Sequence, residues 1–377
     1  MGAENKREKC PVQIAIIGLP GSGKTTVFNA LTGATARTGG YGSGAEANIA
    51  VVQVPDPRLG LLEAIFKPKK VAHATVEYVD AGGVVKTGSN AEGIAGALLN
   101  QISKADALLS VVRAFEDESM PHPQGSVDPA RDLATMDLEL TFSDLAIIER
   151  RLERLKESVH KGKPQEREAG ERERELLTSL QQGLEKEIPI RAQEITEEES
   201  LAIRNFQFLT AKPLLTLLNL GEDQLGQADE ILARVSQGYS VPQTGFITLA
   251  GQVEAEIAEL DAEEKEQFLE AMGVKEPGIN RVISLSYQLL DYASFLTVGP
   301  DEVRAWTVKR NTPAQKAAGT IHSDLERGFI RAEVVRYTDL MSVGGSMAEA
   351  RKRGVLRLEG KSYPVQDGDV MNILFNV

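Results

Sequence analysis

The sequence predicts an α/β fold, built on a mostly parallel sheet with helices on both faces and an inserted antiparallel coiled-coil helical arm. Apolar runs such as VQIAII, ATVEYVD, PLLTLLNL and GFITLA alternate with helix-like stretches. Nearly continuous apolar strands between helices are typical of a parallel sheet that is covered on both sides. One internal segment, rich in Glu, Arg and Leu, interrupts this alternation.

The first strand and the loop after it carry a phosphate-binding motif. Residues Val12 to Ile17 read as a buried strand, GLPGSGKT fits G-x-x-x-x-G-K-[ST], and TTVFNALTG reads as a helix. Backbone N–H groups and a helix N-terminus would converge there on anionic oxygens. The predicted nucleotide-binding residues are Gly21, Ser22, Gly23, Lys24, Thr25 and Thr26. An ordinary glycine-rich turn is the alternative.

Within this loop, Lys24 would reach the β- and γ-phosphates and Thr25 would offer its hydroxyl to Mg²⁺. A second motif supports the metal site, because VEYVDAGG places Asp80 at a strand end and Gly83 three residues later. The Asp80 carboxylate would hold a water of Mg²⁺, and the Gly83 N–H would approach the γ-phosphate. A strand that ends in a glycine turn is the alternative.

The stretch LLTLLNLGE indicates which base is bound. Asn219 begins N-x-x-E, where a GTPase has N-K-x-D. Glu222 is longer than Asp by one methylene, which displaces the paired hydrogen bonds to guanine and favours relaxed or reversed base choice. Leu220 replaces the lysine and would cover either purine. A strand-end turn without base contact is the alternative.

The interrupting segment predicts a helical hairpin over residues 132–212. Its first helix carries a heptad seam, its second resumes after HKGKPQ, and the seam residues are Leu138, Leu145, Ile148, Leu152, Leu155, Val159, Leu176, Leu177, Leu180 and Leu184. Two helices packed flat on the domain are the alternative.

Composition excludes several protein classes. The chain has 377 residues and a net charge of −13, which argues against coating nucleic acid by bulk charge. Cys10 is the single cysteine, so an internal disulfide is excluded. From the polar N-terminus and the lack of a long apolar run, we expect neither a signal peptide nor a membrane span. We expect a cytoplasmic monomer.

Beyond these motifs, the sequence resembles the YchF or Obg-like ATPase family. The similar stretches include IAIIGLPGSGKTTVFNALTG, VVQVPDPRL, SKADALLSVVRAFED, HPQGSVDP, NLGE and GKSYPVQDGDVMNILFNV. The resemblance implies a discontinuous P-loop G domain over residues 11–131 and 213–291. It also implies the inserted arm over residues 132–212 and a C-terminal TGS domain of β-grasp fold over residues 292–377.

The resemblance further implies an ATP-hydrolysing switch, with ATP preferred over GTP, that binds ribosomes and regulates translation or stress responses. Val84 stands where Ras-like enzymes carry a water-orienting glutamine, so turnover would be slow. His122 matches a family histidine, and its imidazole would hold the water or share its proton from an exposed, mobile loop. A solvated loop histidine without a catalytic role is the alternative. Basic residues could contact ribosomal RNA, namely Lys67, Lys69, Lys70, Arg351, Lys352, Arg353 and Arg357, and solvated charged faces are the alternative.

Two alternatives stay open at this point. The first is a GTPase of the same fold. The second is a nucleotide-binding scaffold with negligible hydrolysis, because Gly44 aligns with a switch threonine of the family and Val84 replaces the glutamine.

Overall fold

The computed structural model describes residues 12–33, 48–80, 96–158, 164–272, 274 and 276–376. Its strands are β1 Val12–Ile17, β2 Asn48–Gln53, β3 Lys70–Ala72, β4 Thr75–Asp80, β5 Ala107–Arg113, β6 Leu214–Asn219, β7 Thr244–Leu249, β8 Tyr292–Thr297, β9 Glu302–Lys309, β10 Phe329–Arg336, β11 Arg357–Glu359 and β12 Asp369–Phe375. Its helices are α1 Lys24–Thr32, α2 Pro57–Phe66, α3 Gly96–Ile102, α4 Pro129–Ser158, α5 Pro164–Leu184, α6 Glu197–Ile203, α7 Ala228–Ser236, α8 Gly251–Glu259, α9 Ala262–Ala271, α10 Gly278–Leu289, α11 Ala314–Ile321, α12 Ser323–Arg327, α13 Tyr337–Ser342 and α14 Met347–Lys352.

The first sheet has six strands in the order β2-β4-β1-β5-β6-β7. Strand β5 pairs in parallel with β1 and β6, and β6 pairs in parallel with β7. Every residue of β5 and β6 is buried, so both faces of the sheet are covered. The predicted α/β class with a mostly parallel sheet is therefore confirmed. Carboxyl ends of parallel strands meet at one edge of a sheet, where ligands bind.

Helices α4 and α5 form the predicted arm and pack on each other. Their shared core includes Ile148, Leu155, Leu177, Leu180 and Leu184. Across the pair, Arg151 donates two hydrogen bonds to the carboxylate of Glu173, at 2.7 and 2.8 Å. Such a bidentate pair fixes the relative position of two helices better than a single contact.

The predicted heptad seam is wrong at its first position. Leu138 is 40% exposed, whereas Met136 and Leu140 are buried in the sheet's core together with residues of β1 and β5. The first half of α4 therefore packs on the sheet, and the seam with α5 begins only beyond it. Val159 lies outside the described residues.

A buried carboxylate fastens the middle of α4 to the end of the inserted segment. Asp144 accepts hydrogen bonds from the N–H groups of Leu209 and Thr210, at 2.8 and 2.7 Å, and from the Thr210 hydroxyl at 2.7 Å. Burial raises the pKa of Asp144 to about 6, although these hydrogen bonds oppose the shift. At neutral pH both carboxylate oxygens thus accept hydrogen bonds from donors.

The second sheet has the order β11-β10-β12-β8-β9-β3. Strands β8 and β12 are parallel at its centre, β8–β9, β10–β11 and β10–β12 are antiparallel, and α11 packs on one face. From β8 to β12 this is the expected β-grasp arrangement. The additional edge strand β3 comes from far upstream and pairs in parallel with β9.

The chain divides into two compact units, and the predicted domain boundaries after residues 131, 212 and 291 stay a prediction. One compact unit combines Val51–Glu77 with Asn280–Val377, and the other contains Gln13–Ala50 and Tyr78–Ile279. In the first unit, Arg58 at the start of α2 donates to Asp367, at 2.8 Å, and to Asp56, at 2.8 Å. The arm belongs to the second unit. Among the described residues, no helix is long and apolar enough to span a membrane.

We expect Asp144→Asn to lower the free energy of unfolding by about 2 kcal/mol, because one carboxylate oxygen would become an NH₂ group that faces a donor. Urea denaturation at pH 7.5, followed by circular dichroism, measures the change. Glu149→Gln is the matched control, since Glu149 is exposed on the same helix. Equal midpoints for Asp144→Asn and the control would contradict the anchoring role.

Candidate nucleotide-binding site

The loop between β1 and α1 adopts a backbone that depends on glycine. Gly18, Gly21 and Gly23 have φ values of 152°, 76° and 88°. The last two lie in the left-handed region, which L side chains rarely adopt. A Cβ at Gly18 would also overlap the carbonyl oxygen of Val111 in β5, and one at Gly23 would overlap the side-chain nitrogen of Asn219. Steric constraints therefore explain why the motif has glycine at these positions.

Lys24 begins α1 and is buried, with its Nζ donating to the carbonyl of Leu19 at 2.8 Å. Burial lowers the pKa of Lys24 to about 8, and the Asp80 carboxylate offsets part of this shift. The ammonium group is thus held inside the loop, where the Asp80 carboxylate acts on it. It can leave the Leu19 carbonyl and donate instead to an anion, which is a stronger hydrogen-bond acceptor.

Thr25 and Asp80, the two predicted metal ligands, lie together. The Thr25 hydroxyl donates to Asp80 Oδ2 at 3.0 Å, and Asp80 ends β4 in a buried position. A hydroxyl and a carboxylate are hard oxygen ligands, which suit Mg²⁺. Among the described residues no cluster of three or more His, Cys, Asp or Glu side chains could hold a metal. The donor set fits an ion that shares its coordination with phosphates and water.

Asn219 joins two loops at the end of β6. Its Nδ2 donates to the carbonyl of Ser22 at 3.1 Å, and its Oδ1 accepts from the N–H of Gly251 at 2.9 Å. Gly251 is the first residue of α8. The amide is buried and uses both a donor and its acceptor within the protein. Asn219 thus fixes the phosphate loop against α8, a contact that strand-end spacing alone did not reveal.

Leu220 and Glu222, the other two predicted base-binding residues of the N-x-x-E motif, lie in different environments. Leu220 is buried in a core cluster with Val112, Leu218 and Ile231, so its side chain supports the sheet end in this structure. Glu222 is exposed at the start of a short 3₁₀ helix, Glu222–Gln227. The expected apolar cover by Leu220 is therefore absent from this arrangement, because neighbouring core residues already enclose the side chain.

His122 is neither exposed nor free, in contrast to the expectation. Its side chain is 3% exposed, its Nε2 lies 2.8 Å from Asp132 Oδ2, and its Nδ1 accepts from the N–H of Gln124 at 3.2 Å. This pattern requires the proton on Nε2, which donates to Asp132. Asp132 lies in the first turn of α4 and also binds Arg131. The histidine thus fastens its loop to α4.

Several predicted positions lie outside the described residues, among them Gly83, Val84 and Gly44. Thr26 follows Thr25 in α1 and is half-buried, and Ser22 is buried in the loop.

Sequence reasoning missed one residue of this region, Arg113, which ends β5 and is fully buried. An arginine closing the otherwise apolar run ALLSVV was a signal that could have identified it.

Comparison with known proteins places this geometry in a family. A family model described as 50S ribosome-binding GTPase matches residues 13–141, and the model YchF-GTPase_C, described as a protein of unknown function, matches residues 292–376. The ribosome-binding ATPase YchF of Bacillus subtilis is 42% identical over 365 residues, which cover 96% of this chain and 98% of that protein. This chain belongs to the YchF family.

Other YchF relatives extend this result. The ribosome-binding ATPase YchF of Escherichia coli O157:H7 is 40% identical, with 96% of this chain and 98% of that protein covered. The Obg-like ATPase 1 of Caenorhabditis elegans is 34% identical, with 97% and 92% covered. The solved structure of the Schizosaccharomyces pombe YchF GTPase superposes with a TM-score of 0.81 at 30% identity and covers 96% of this chain and 97% of that one. The YchF fold thus extends across both compact units.

The contacts of His122 generate a test. We expect His122→Ala to lower the free energy of unfolding by about 1–2 kcal/mol, because Asp132 would stay buried without its ring partner. Urea denaturation measures this loss. Gln124→Ala is the control, since it keeps the backbone N–H that the ring accepts. A variant as stable as this control would show that the ring contributes nothing to the fold.

Proposed function

We propose that this chain is a Mg²⁺-dependent nucleoside triphosphatase that hydrolyses ATP in preference to GTP and acts as a molecular switch on ribosomes or translation complexes. The observation that carries the proposal is the convergence of Lys24, the Thr25–Asp80 pair and the Asn219 bridge on one glycine-built loop. The names of the bacterial relatives, ribosome-binding ATPases, support the activity and the partner.

The phosphates would be held by the loop itself. The backbone N–H groups of Gly21, Ser22 and Gly23 and the N-terminus of α1 would bind phosphate oxygens, with Thr25 and Thr26 closing the cradle. Lys24 would transfer its ammonium from the Leu19 carbonyl to the β- and γ-phosphates. Thr25 and Asp80 would hold Mg²⁺, directly or through water. When bound, Mg²⁺ would neutralise charge that develops on the phosphate oxygens.

Base choice rests on the segment after Asn219. Glu222 is exposed and longer than the aspartate that reads guanine, so it would lose the paired hydrogen bonds that favour GTP. A GTPase of the same fold is the second candidate, since the solved relative from Schizosaccharomyces pombe is titled a GTPase. Leu220 would contact either purine only after leaving its core position.

Hydrolysis would be in-line attack by water on the γ-phosphorus, with slow intrinsic turnover. Gly83 would approach the γ-phosphate, and His122 stays our prediction for the group that holds the water. To act, the ring would have to exchange its contact with Asp132 or its contact with Gln124. A nucleotide-binding scaffold with negligible hydrolysis would need no such exchange, and it remains the alternative from a different class.

Ribosome binding would place the protein in the cytoplasm. Apart from Lys67, the basic residues proposed to contact RNA have acidic partners within the chain, which weakens their attraction for phosphates. Arg351 pairs with Glu333, Arg353 lies 3.5 Å from Glu349, and Arg357 lies 3.1 Å from Glu359. Lys69 and Lys70 pair with Asp301 and Glu302 at 2.8 and 3.6 Å. RNA contact would therefore require exchange of these partners.

Phosphate release with Mg·ATP and with Mg·GTP tests the proposal, with Lys24→Ala as the blank for contaminating enzymes. We expect ATP turnover above both GTP turnover and the blank. Faster GTP turnover would overturn the base preference. Saturable ATP binding without turnover above the blank, in the presence of ribosomes as well, would favour the scaffold.

The lowered pKa of Lys24 predicts a pH dependence of ATP affinity. Below about pH 8 the ammonium group is already present, so the Kd for Mg·ATP stays constant. Above about pH 8 the free protein is neutral at Lys24 and must take up a proton, so the Kd rises by up to about tenfold per pH unit.

Isothermal titration between pH 7 and 9.5 measures this dependence. Titrations at pH 8.5 in two buffers of different ionisation enthalpy give the proton uptake directly, and we expect between about half a proton and one proton per ATP bound. A Kd that is constant up to pH 9.5, with no proton uptake, would contradict the role of Lys24.

A further inference from the structure

Arg113, the last residue of β5, has a buried donor group without a partner. The residue is 2% exposed, its Nε donates to the carbonyl of Phe115 at 3.1 Å, and its guanidinium carbon lies 4.6 Å from the centre of the Phe115 ring. Its Nη1 is buried and makes no hydrogen bond within the described part of the chain. A buried guanidinium N–H without an acceptor is costly, so its retention calls for a ligand.

The Nη1 atom of Arg113, which has no acceptor among the described residues, lies beside the phosphate loop. In the β5–β6 register Arg113 is opposite Asn219, at the same edge of the sheet. A Cβ added at Gly21 would lie 3.6 Å from Arg113 Nη1, and one at Gly23 would lie 3.8 Å from the Phe115 ring. The stacked pair of Arg113 and Phe115 therefore extends along the loop from Gly21 to Gly23, and Nη1 is at the Gly21 end.

The charge of Arg113 is not balanced by an ion pair. Across residues 12–33, 48–80 and the later described ranges, no carboxylate lies within 4.0 Å of its guanidinium. Asp117, four residues on, accepts hydrogen bonds from Ser119 at 2.6 and 2.9 Å. These hydrogen bonds lower the pKa of the exposed Asp117 carboxyl, and the more distant charge of Arg113 adds a smaller lowering without an ion-pair contact. At the neighbouring strand end, Leu220 is apolar and enclosed by the core. Arg113 thus supplies a positive charge where β6 supplies none.

We propose that Arg113 is a second cationic ligand of the bound nucleotide, and that its Nη1 donates to a phosphate oxygen at the Gly21 side of the loop. This inference rests on the proposed function of the same site. Met120 covers the position in this structure, since its sulfur would lie 3.4 Å from a Cβ at Gly21. The Met120 side chain is 42% exposed and unbranched, so it can move aside when the nucleotide enters.

Titration calorimetry with Mg·ATP, and competition by Mg·tripolyphosphate, test the contact in Arg113→Met, Arg113→Lys and wild type. We expect Arg113→Met to weaken both ligands by about 10- to 100-fold, as loss of a charged hydrogen bond does, and Arg113→Lys to weaken them less. Arg150→Met is the control, because Arg150 is exposed on α4. A Kd for Mg·ATP within about twofold of wild type in Arg113→Met would overturn the proposal.

A purely structural role of Arg113 gives a different result. Met keeps the aliphatic part of the side chain, can contact an aromatic ring through its sulfur and removes a buried charge, so we expect nucleotide-free Arg113→Met to melt at or above the wild-type temperature. A lower melting temperature with unchanged competition by Mg·tripolyphosphate would overturn the phosphate contact. Wild type that binds neither ligand would overturn the proposed function as well, whereas wild-type binding retained in Arg113→Met overturns this inference alone.

Discussion

One amide side chain determines how the site is assembled. Asn219 donates to the carbonyl of Ser22 in the phosphate loop and accepts from Gly251 at the start of α8. It therefore positions two loops that are far apart in the sequence against the end of a single strand. Because the amide is buried and directional, neither loop can shift without breaking a hydrogen bond. The glycine at position 23 follows from the same constraint, since the Asn219 nitrogen occupies the space that a side chain would need.

The phosphate loop and the strand ends around it were predictable because their signals are local. The glycine spacing around Lys24 predicted the loop, and the apolar run before Asp80 predicted a strand that ends beside Thr25. The burial of side chains in loops and just after strands was not predictable, because it depends on neighbours from distant segments. His122 looked exposed between prolines, yet Asp132 and Gln124 enclose its ring. Leu220 looked like a cover for a base, yet it belongs to the core.

The fold shows the same limit. The heptad pattern predicted two packed helices correctly, but it could not show where α4 stops facing the sheet and starts facing α5. Leu138 keeps the heptad spacing and is nevertheless exposed. Strand β3 left no usable signal, because three residues carry too little periodicity, and its pairing with β9 is a tertiary contact. Arg113 was visible in the sequence as a charged residue after an apolar run, but only its contact with Phe115 and its position beside Gly21 indicate a role.

The pairing of β3 with β9 has a consequence for how the chain is made. Residues that pair between the two strands lie far apart in the sequence, and the Lys69–Asp301 ion pair beside them joins residues that are 232 positions apart. During synthesis, the segment from Val51 to Glu77 emerges long before the strand that completes its unit. Contacts of such long sequence separation form slowly, and unpaired strand edges are prone to aggregate in the meantime. The newly made chain therefore exposes the edge of β3 until its last quarter has been synthesised.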